Sequence, residues 1–175
     1  VGSLQRIALH QAKCGVTGFV PTTMSAPLDS ILRAVDTVKK ASSLRLDAEI
    51  LGIHLEGPFL SLKERGAQDS QFIKGIKEED IRLLEKASRG LKKFITIAPE
   101  TENNMSFIPW FKEKGFVVSI GHSDASYEIA VRSFKAGISH AAHFFNGMSG
   151  YQGREPGVIG AVLDSDQVSD DFSTD

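Results

Sequence analysis

GIHLEGPFLSLKERGAQ, residues 52–68, decides how the chain is read. Its first part is an apolar run carrying His54 and Glu56, two positions apart, and it stops at Gly57-Pro58. Proline cannot donate to a strand ladder, so the run ends there. A buried carboxylate is costly unless it is paired or holds a cation, so a glutamate at the last position of a buried strand needs a reason. Residues i and i+2 of a strand share a face. Glu56 therefore lies nearer the strand mouth and His54 one layer below, as a supporting or packing residue rather than a ligand.

The flanking sequence repeats one rhythm. Ser3 is expected to cap a first helix with Leu4, Ile7 and Ala8 on one face and Gly15 after its end. VTGFVPTTM reads as a short buried strand stopped by Pro21. Ser25 and Pro27 open a helix whose stripe is Leu28, Ile31, Leu32, Val35 and Val38. After the strand AEILGIHLEG and a loop, KEEDIRLLEKAS is a charged helix burying Ile81, Leu83 and Leu84, and KFITIAPE is a strand. MSFIPWFKEKG is a short helix, FVVSIGH a strand ending in His122, and the next helix is expected to be capped by Ser123 or Asp124 with Tyr127, Ala130, Val131 and Phe134 on its stripe. ISHAAHFF is a further strand, and a glycine-rich loop with a short apolar segment follows. Short, continuously apolar strands alternating with helices mean a parallel α/β sheet. Two folds fit, an open doubly wound sheet or part of a TIM barrel; no glycine fingerprint of the nucleotide-binding kind follows the first strand.

Both folds keep their chemistry at the C-terminal ends of the strands. Four of the five histidines, His54, His122, His140 and His143, lie at or near such ends, with Glu56 and Glu100. A glutamate and two histidines from three strand ends make a metal site, because zinc takes imidazole nitrogen and carboxylate oxygen and a catalytic site leaves one position open. On one regular strand His140 and His143 face opposite ways, so only one enters, and His143 is nearer the end. His10 reads as a surface or packing residue and Glu100 as a loop charge. In NGMSGYQGREPG, the glycines allow close backbone approach to a ligand and Arg154 offers a fork that matches phosphate oxygens.

Composition sets the outer bounds. The 175 residues suffice for one core, and the formal net charge of −2 gives no field for nucleic acid or a membrane surface. No apolar run is long enough to cross a bilayer, and the amphipathic N-terminus has no signal-peptide pattern. The one cysteine, Cys14, excludes an internal disulfide, suits the cytoplasm, and is expected to be a small buried hydrophobe. A chain beginning with Val1 is expected to be a fragment.

HLEGPFL with RGAQ, TIAPE, SIGHSDASYE and HAAHFFNGMSGYQGREPGVIGAVLD, in that order, resemble the N-acetylglucosamine-6-phosphate deacetylases of the amidohydrolase superfamily. The resemblance implies Glu56, His122 and His143 as ligands of a divalent metal, zinc or iron, and Ala67, Gln68, Asn146, Gly147 and Arg154 as substrate contacts, with Arg154 on the sugar phosphate. Position 68 is commonly histidine in the family; glutamine cannot be a cation near neutral pH. The implied reaction is metal-dependent deacetylation of N-acetylglucosamine 6-phosphate to glucosamine 6-phosphate and acetate, in amino-sugar catabolism. The implied fold is a (β/α)8 barrel, of which residues 1–164 would be a central part and 165–175 a disordered polar tail. The implied partner is a small sugar phosphate, with a homo-oligomeric parent protein. The first barrel strand is expected before Val1 and the general acid/base aspartate beyond Asp175, so the chain alone is expected to be inactive. A related amidohydrolase acting on another amide or imide, and a non-catalytic sugar-phosphate binding remnant, are the alternatives.

Overall fold

Strands and helices alternate along residues 1–172, which the computed structural model describes. β1 (Gly18–Phe19) and β2 (Thr22–Thr23) form one extended run interrupted at Pro21. Proline lacks the N–H but keeps its carbonyl, and Pro21 O accepts from His54 N–H at 3.0 Å, so pairing resumes where the sequence predicts a stop. β3 (Glu49–Ile50) and β4 (Ile53–Glu56) form the neighbouring run. Gly18 faces Glu49 but Thr22 faces His54, so one extra residue is absorbed between β3 and β4, as in a bulge. Gly52 stands there because a Cβ would lie 2.5 Å from Lys92 O.

β5 (Lys93–Ile97), β6 (Phe116–Ile120), β7 (His140–Ala141) and β8 (Ser169–Asp170) complete a six-stranded parallel sheet in the order β2-β4-β5-β6-β7-β8. Spatial order follows chain order. A doubly wound sheet reverses its order at a switch point; a barrel does not. The progression is thus that of a barrel wall, and the loops after successive strands fall side by side.

The helices are α1 (Gly2–Lys13), α2 (Leu28–Ser42), α3 (Glu78–Ala87), α4 (Asn104–Glu113), α5 (Tyr127–Ala136) and α6 (Gly157–Leu163). Ile53 and Leu55 of β4 are fully buried and join a core with Ile31, Val35, Leu84 and Phe111 of the helices, whereas His54 and Glu56 take the other face. None of these helices is long and apolar enough to cross a membrane.

Several local expectations are corrected. α1 begins at Gly2, with Val1 O accepting from Gln5 N–H at 3.1 Å, so Ser3 lies inside the helix rather than capping it. Ile7 is exposed, and so is Cys14, at the helix end. Leu83 is exposed because it sits about 100° around α3 from Leu84. α5 is capped by Ser126, whose Oγ accepts from Ile129 N–H, and not by Ser123 or Asp124. Finally, the polar segment predicted to be disordered enters the sheet. Backbone pairing needs no apolar alternation: Ser169 N–H donates to Ser139 O, Asp171 N–H to Ala141 O, and Phe144 N–H to Asp171 O at 2.7 Å. Residues 173–175 of that tail lie outside the described residues.

Candidate metal centre

Glu56 closes β4, and the chain then turns at Gly57, whose φ of +86° suits glycine. The following segment crosses to the end of β6, where Ser61 N–H donates to His122 O at 2.9 Å. His122 is not on the strand: β6 ends at Ile120, and His122 adopts φ +47°. His143 likewise lies beyond β7, with φ +38°. A non-glycine residue in the left-handed region costs about 1–2 kcal/mol and persists where its surroundings impose it. Around His122 the imposing groups are Gly147 O, which accepts from Ser123 N–H at 3.0 Å, and the Glu100 carboxylate. Glu100 accepts from Ser123 Oγ–H at 2.8 Å and from Asp124 N–H at 2.6 Å. Around His143, Asn146 N–H donates to His143 O at 2.8 Å, and Asp171 Oδ1 accepts from His143 N–H.

These constraints bring Glu56, His122 and His143 together, one ligand atom of each lying within 4.8 Å of the others. His122 Nε2 is 3.2 Å from Glu56 Oε1 and 3.1 Å from His143 Nε2. For ligand bonds of about 2.0–2.1 Å, the edge of a tetrahedron is roughly 3.3 Å, so this spacing suits one small cation.

Backbone carbonyls settle the tautomers. His122 Nδ1 is 2.9 Å from Glu64 O, and His143 Nδ1 is 2.8 Å from Asn146 O. A carbonyl oxygen only accepts, so each Nδ1 carries the hydrogen and each neutral ring turns a bare Nε2 lone pair inward. Two imidazole lone pairs and a carboxylate oxygen then converge with no hydrogen between them. Such a set can hold a metal ion, or in its absence a proton. Burial alone would lower the His122 pKa, but the Glu56 carboxylate and Glu64 carbonyl outweigh it and raise it. Burial alone would raise Glu56, but His122 outweighs it and lowers it.

Beneath the trio lies a second polar layer. His54 Nε2 is 2.7 Å from Thr96 Oγ1 and its Nδ1 is 3.3 Å from Thr22 Oγ1. Burial lowers its pKa. His140 belongs to the same layer: its register opposite Ser119 turns it to the inner face, and with His54 it lines a cavity of about 270 Å3. The expectation that His140 faces away from the site is corrected, because the strand ends before His143 and the parity argument does not span the break. His10 is exposed.

The residues singled out for substrate fall in different places. Ala67, Asn146 and Arg154 are exposed on their loops, and Gly147 adopts φ +58° beside His122. Gln68 is only 4% exposed, with its amide engaged by Ser25 N–H and the Glu56 carboxylate, so it is turned to the glutamate rather than to open space. Glu100, expected to be a loop charge, is a bonded part of the His122 turn, and burial raises its pKa. Asp171 and Asn104 escape sequence reasoning: Asp171 follows an edge strand that carries no apolar pattern, and the bonds of Asn104 reach Phe59 and Ile76, far from it in the chain.

No family model matches the chain. The N-acetylglucosamine-6-phosphate deacetylase of Bacillus subtilis is 38% identical over 87% of the chain and 39% of its own length. The N-acetylgalactosamine-6-phosphate deacetylase of Escherichia coli O157:H7 is 32% identical over 91% of the chain and 43% of its own length. The chain thus spans about two fifths of the length of these curated relatives. Among solved structures, a mutant N-acetyl-D-glucosamine-6-phosphate deacetylase of Mycobacterium smegmatis, in complex with N-acetyl-D-glucosamine-6-phosphate, superposes with a TM-score of 0.86 at 30% identity, covering 95% of the chain and 42% of that protein.

Proposed function

We propose, from a chain that belongs to the N-acetylglucosamine-6-phosphate deacetylase family by sequence and by fold, that it forms the metal-holding part of an enzyme releasing acetate from N-acetylglucosamine 6-phosphate. The observation that carries this reading is the convergence of Glu56 with the two carbonyl-locked histidines, His122 and His143. Those three residues would hold a divalent ion, zinc or iron. When bound, such an ion lowers the pKa of water toward about 7 and polarises the amide carbonyl. The chain's own residues fix its place: Glu64 O and Asn146 O keep both Nε2 atoms available, and Glu56 supplies the negative charge. Arg154 would take the phosphate, with Ala67, Asn146 and Gly147 along the sugar, so that binding energy far from the amide orients it for attack. The reaction belongs to amino-sugar breakdown in the cytoplasm.

The test is acetate release from N-acetylglucosamine 6-phosphate by a protein carrying this segment in an intact barrel, before and after chelation and with the His143→Ala substitution. Loss of the ion removes several kcal/mol of charge stabilisation, so kcat/KM should fall roughly a thousandfold or more and return with added metal. Bound metal, counted by elemental analysis, should fall with it. Metal content unchanged in His143→Ala removes that residue from the site. The similarity to an N-acetylgalactosamine-6-phosphate deacetylase supports a second substrate reading. Parallel assays on the two epimers decide between them by their kcat/KM ratio.

A further inference from the structure

Gln68 is a buried polar side chain whose two ends touch different elements. Its Oε1 accepts from Ser25 N–H at 2.7 Å, in the segment between β2 and α2. Its Nε2 donates to Glu56 Oε1 at 2.8 Å. The amide orientation is forced from both sides: a backbone N–H requires the oxygen, and an ionised carboxylate, which only accepts, requires the nitrogen. A flipped amide would set oxygen against oxygen and N–H against N–H.

The same short segment serves a second ligand. Glu64 O holds the His122 Nδ1 hydrogen, and Ser61 N–H holds His122 O. Gln68 and Arg65 are tied by a turn bond of 3.0 Å from Gln68 N–H to Arg65 O. The loop after β4 therefore holds two of the three metal-directed side chains, His122 through its backbone and Glu56 through Gln68.

We infer that Gln68 is a positioning residue for the metal centre: it anchors the Glu56 carboxylate against the β2–α2 segment and thereby sets metal affinity, rather than touching substrate. The inference rests on the metal-site reading above. Outer partners of ligating carboxylates orient them and adjust their basicity, and their loss typically weakens metal binding 10–100-fold. The 4% exposure of Gln68 and the engagement of both ends of its amide leave little of it for a sugar.

The experiment measures metal dissociation constants of the full chain by competition with a chromogenic chelator, and the visible spectrum of the Co(II) form. Gln68→Leu and the shorter Gln68→Asn should each weaken metal binding about 10–100-fold and alter the Co(II) bands. Gln68→His should restore most of the affinity, because a neutral imidazole offers one acceptor for Ser25 N–H and one donor for Glu56. Glu56→Ala is the control for the site. If the unaltered chain binds metal and Glu56→Ala loses it, yet Gln68→Leu and Gln68→Asn bind as tightly with unchanged spectra, the positioning role is wrong while the metal site stands. If Glu56→Ala binds as well as the unaltered chain, the metal site itself is wrong, and the role of Gln68 falls with it.

Discussion

At the scale of single residues, the centre depends on how closely backbone can approach an imidazole. Gly147 shows this directly. A Cβ built there would lie 3.1 Å from His122 Nδ1 and 3.2 Å from Glu64 O, and φ is +58°. Gly147→Ala would therefore wedge apart the bond that fixes the His122 tautomer, and would add about 1 kcal/mol or more of left-handed strain. Metal affinity should drop about tenfold or more, read by the same chelator competition, with a lower Tm. Glu56, His122 and His143 were legible in the sequence because each follows an apolar run, and a strand end is where a parallel sheet presents polar groups. The role of Gln68 was not legible, since it depends on meeting Ser25, 43 positions away. The resemblance had made Gln68 a substrate contact; its surroundings make it a partner of the glutamate.

At the scale of elements, the loops after β4 and β5 are fastened by one buried asparagine. Asn104, the first residue of α4, accepts from Ile76 N–H at 3.0 Å and donates to Phe59 O at 2.9 Å and Ala98 O at 2.8 Å. Asn104→Ala leaves Ile76 N–H without its acceptor, at about 1–3 kcal/mol, and removes one of the two donors that meet each of Phe59 O and Ala98 O, which keep Ala98 N–H and Thr101 N–H. A loss of roughly 2–4 kcal/mol in urea unfolding is expected. Central strands such as β5 and β6 were legible because burial demands apolar runs. β8 was not, because an edge strand needs only backbone groups, and Ser169 and Asp170 provide those as well as any apolar pair. β1 was legible in VTGFVPTTM, but its continuation as β2 was not, because Pro21 looks like a terminator yet still offers a carbonyl to its neighbour.

At the scale of the whole molecule, spatial order equals chain order, so the work divides among neighbouring strands. β4, β6 and β7 lead to the converging Glu56, His122 and His143; β5, between β4 and β6, leads to Glu100 and contributes Thr96, which are supports. Glu100 ties stability to pH. Burial disfavours its charged form and raises its pKa, against the opposing hydrogen bonds from Ser123 and Asp124 and with a smaller upward push from the Asp124 carboxylate. Its stabilising contribution is therefore fully present below the unfolded value of 4.5 and is lost as pH rises through the higher folded value. Above that window the folded protein carries a buried charge that the unfolded chain exposes to water. Glu100→Gln, neutral at every pH, removes this dependence but gives up one acceptor for the two donors that meet the carboxylate. Relative to the unaltered protein, the variant should thus gain stability as pH climbs from 4.5 through the window, and hold a constant difference beyond it. Urea unfolding at a series of pH values measures that difference. A difference that is flat across the window would show that Glu100 has the same pKa folded and unfolded, and that the hydrogen bonds from Ser123 and Asp124 fully offset the burial of its charge.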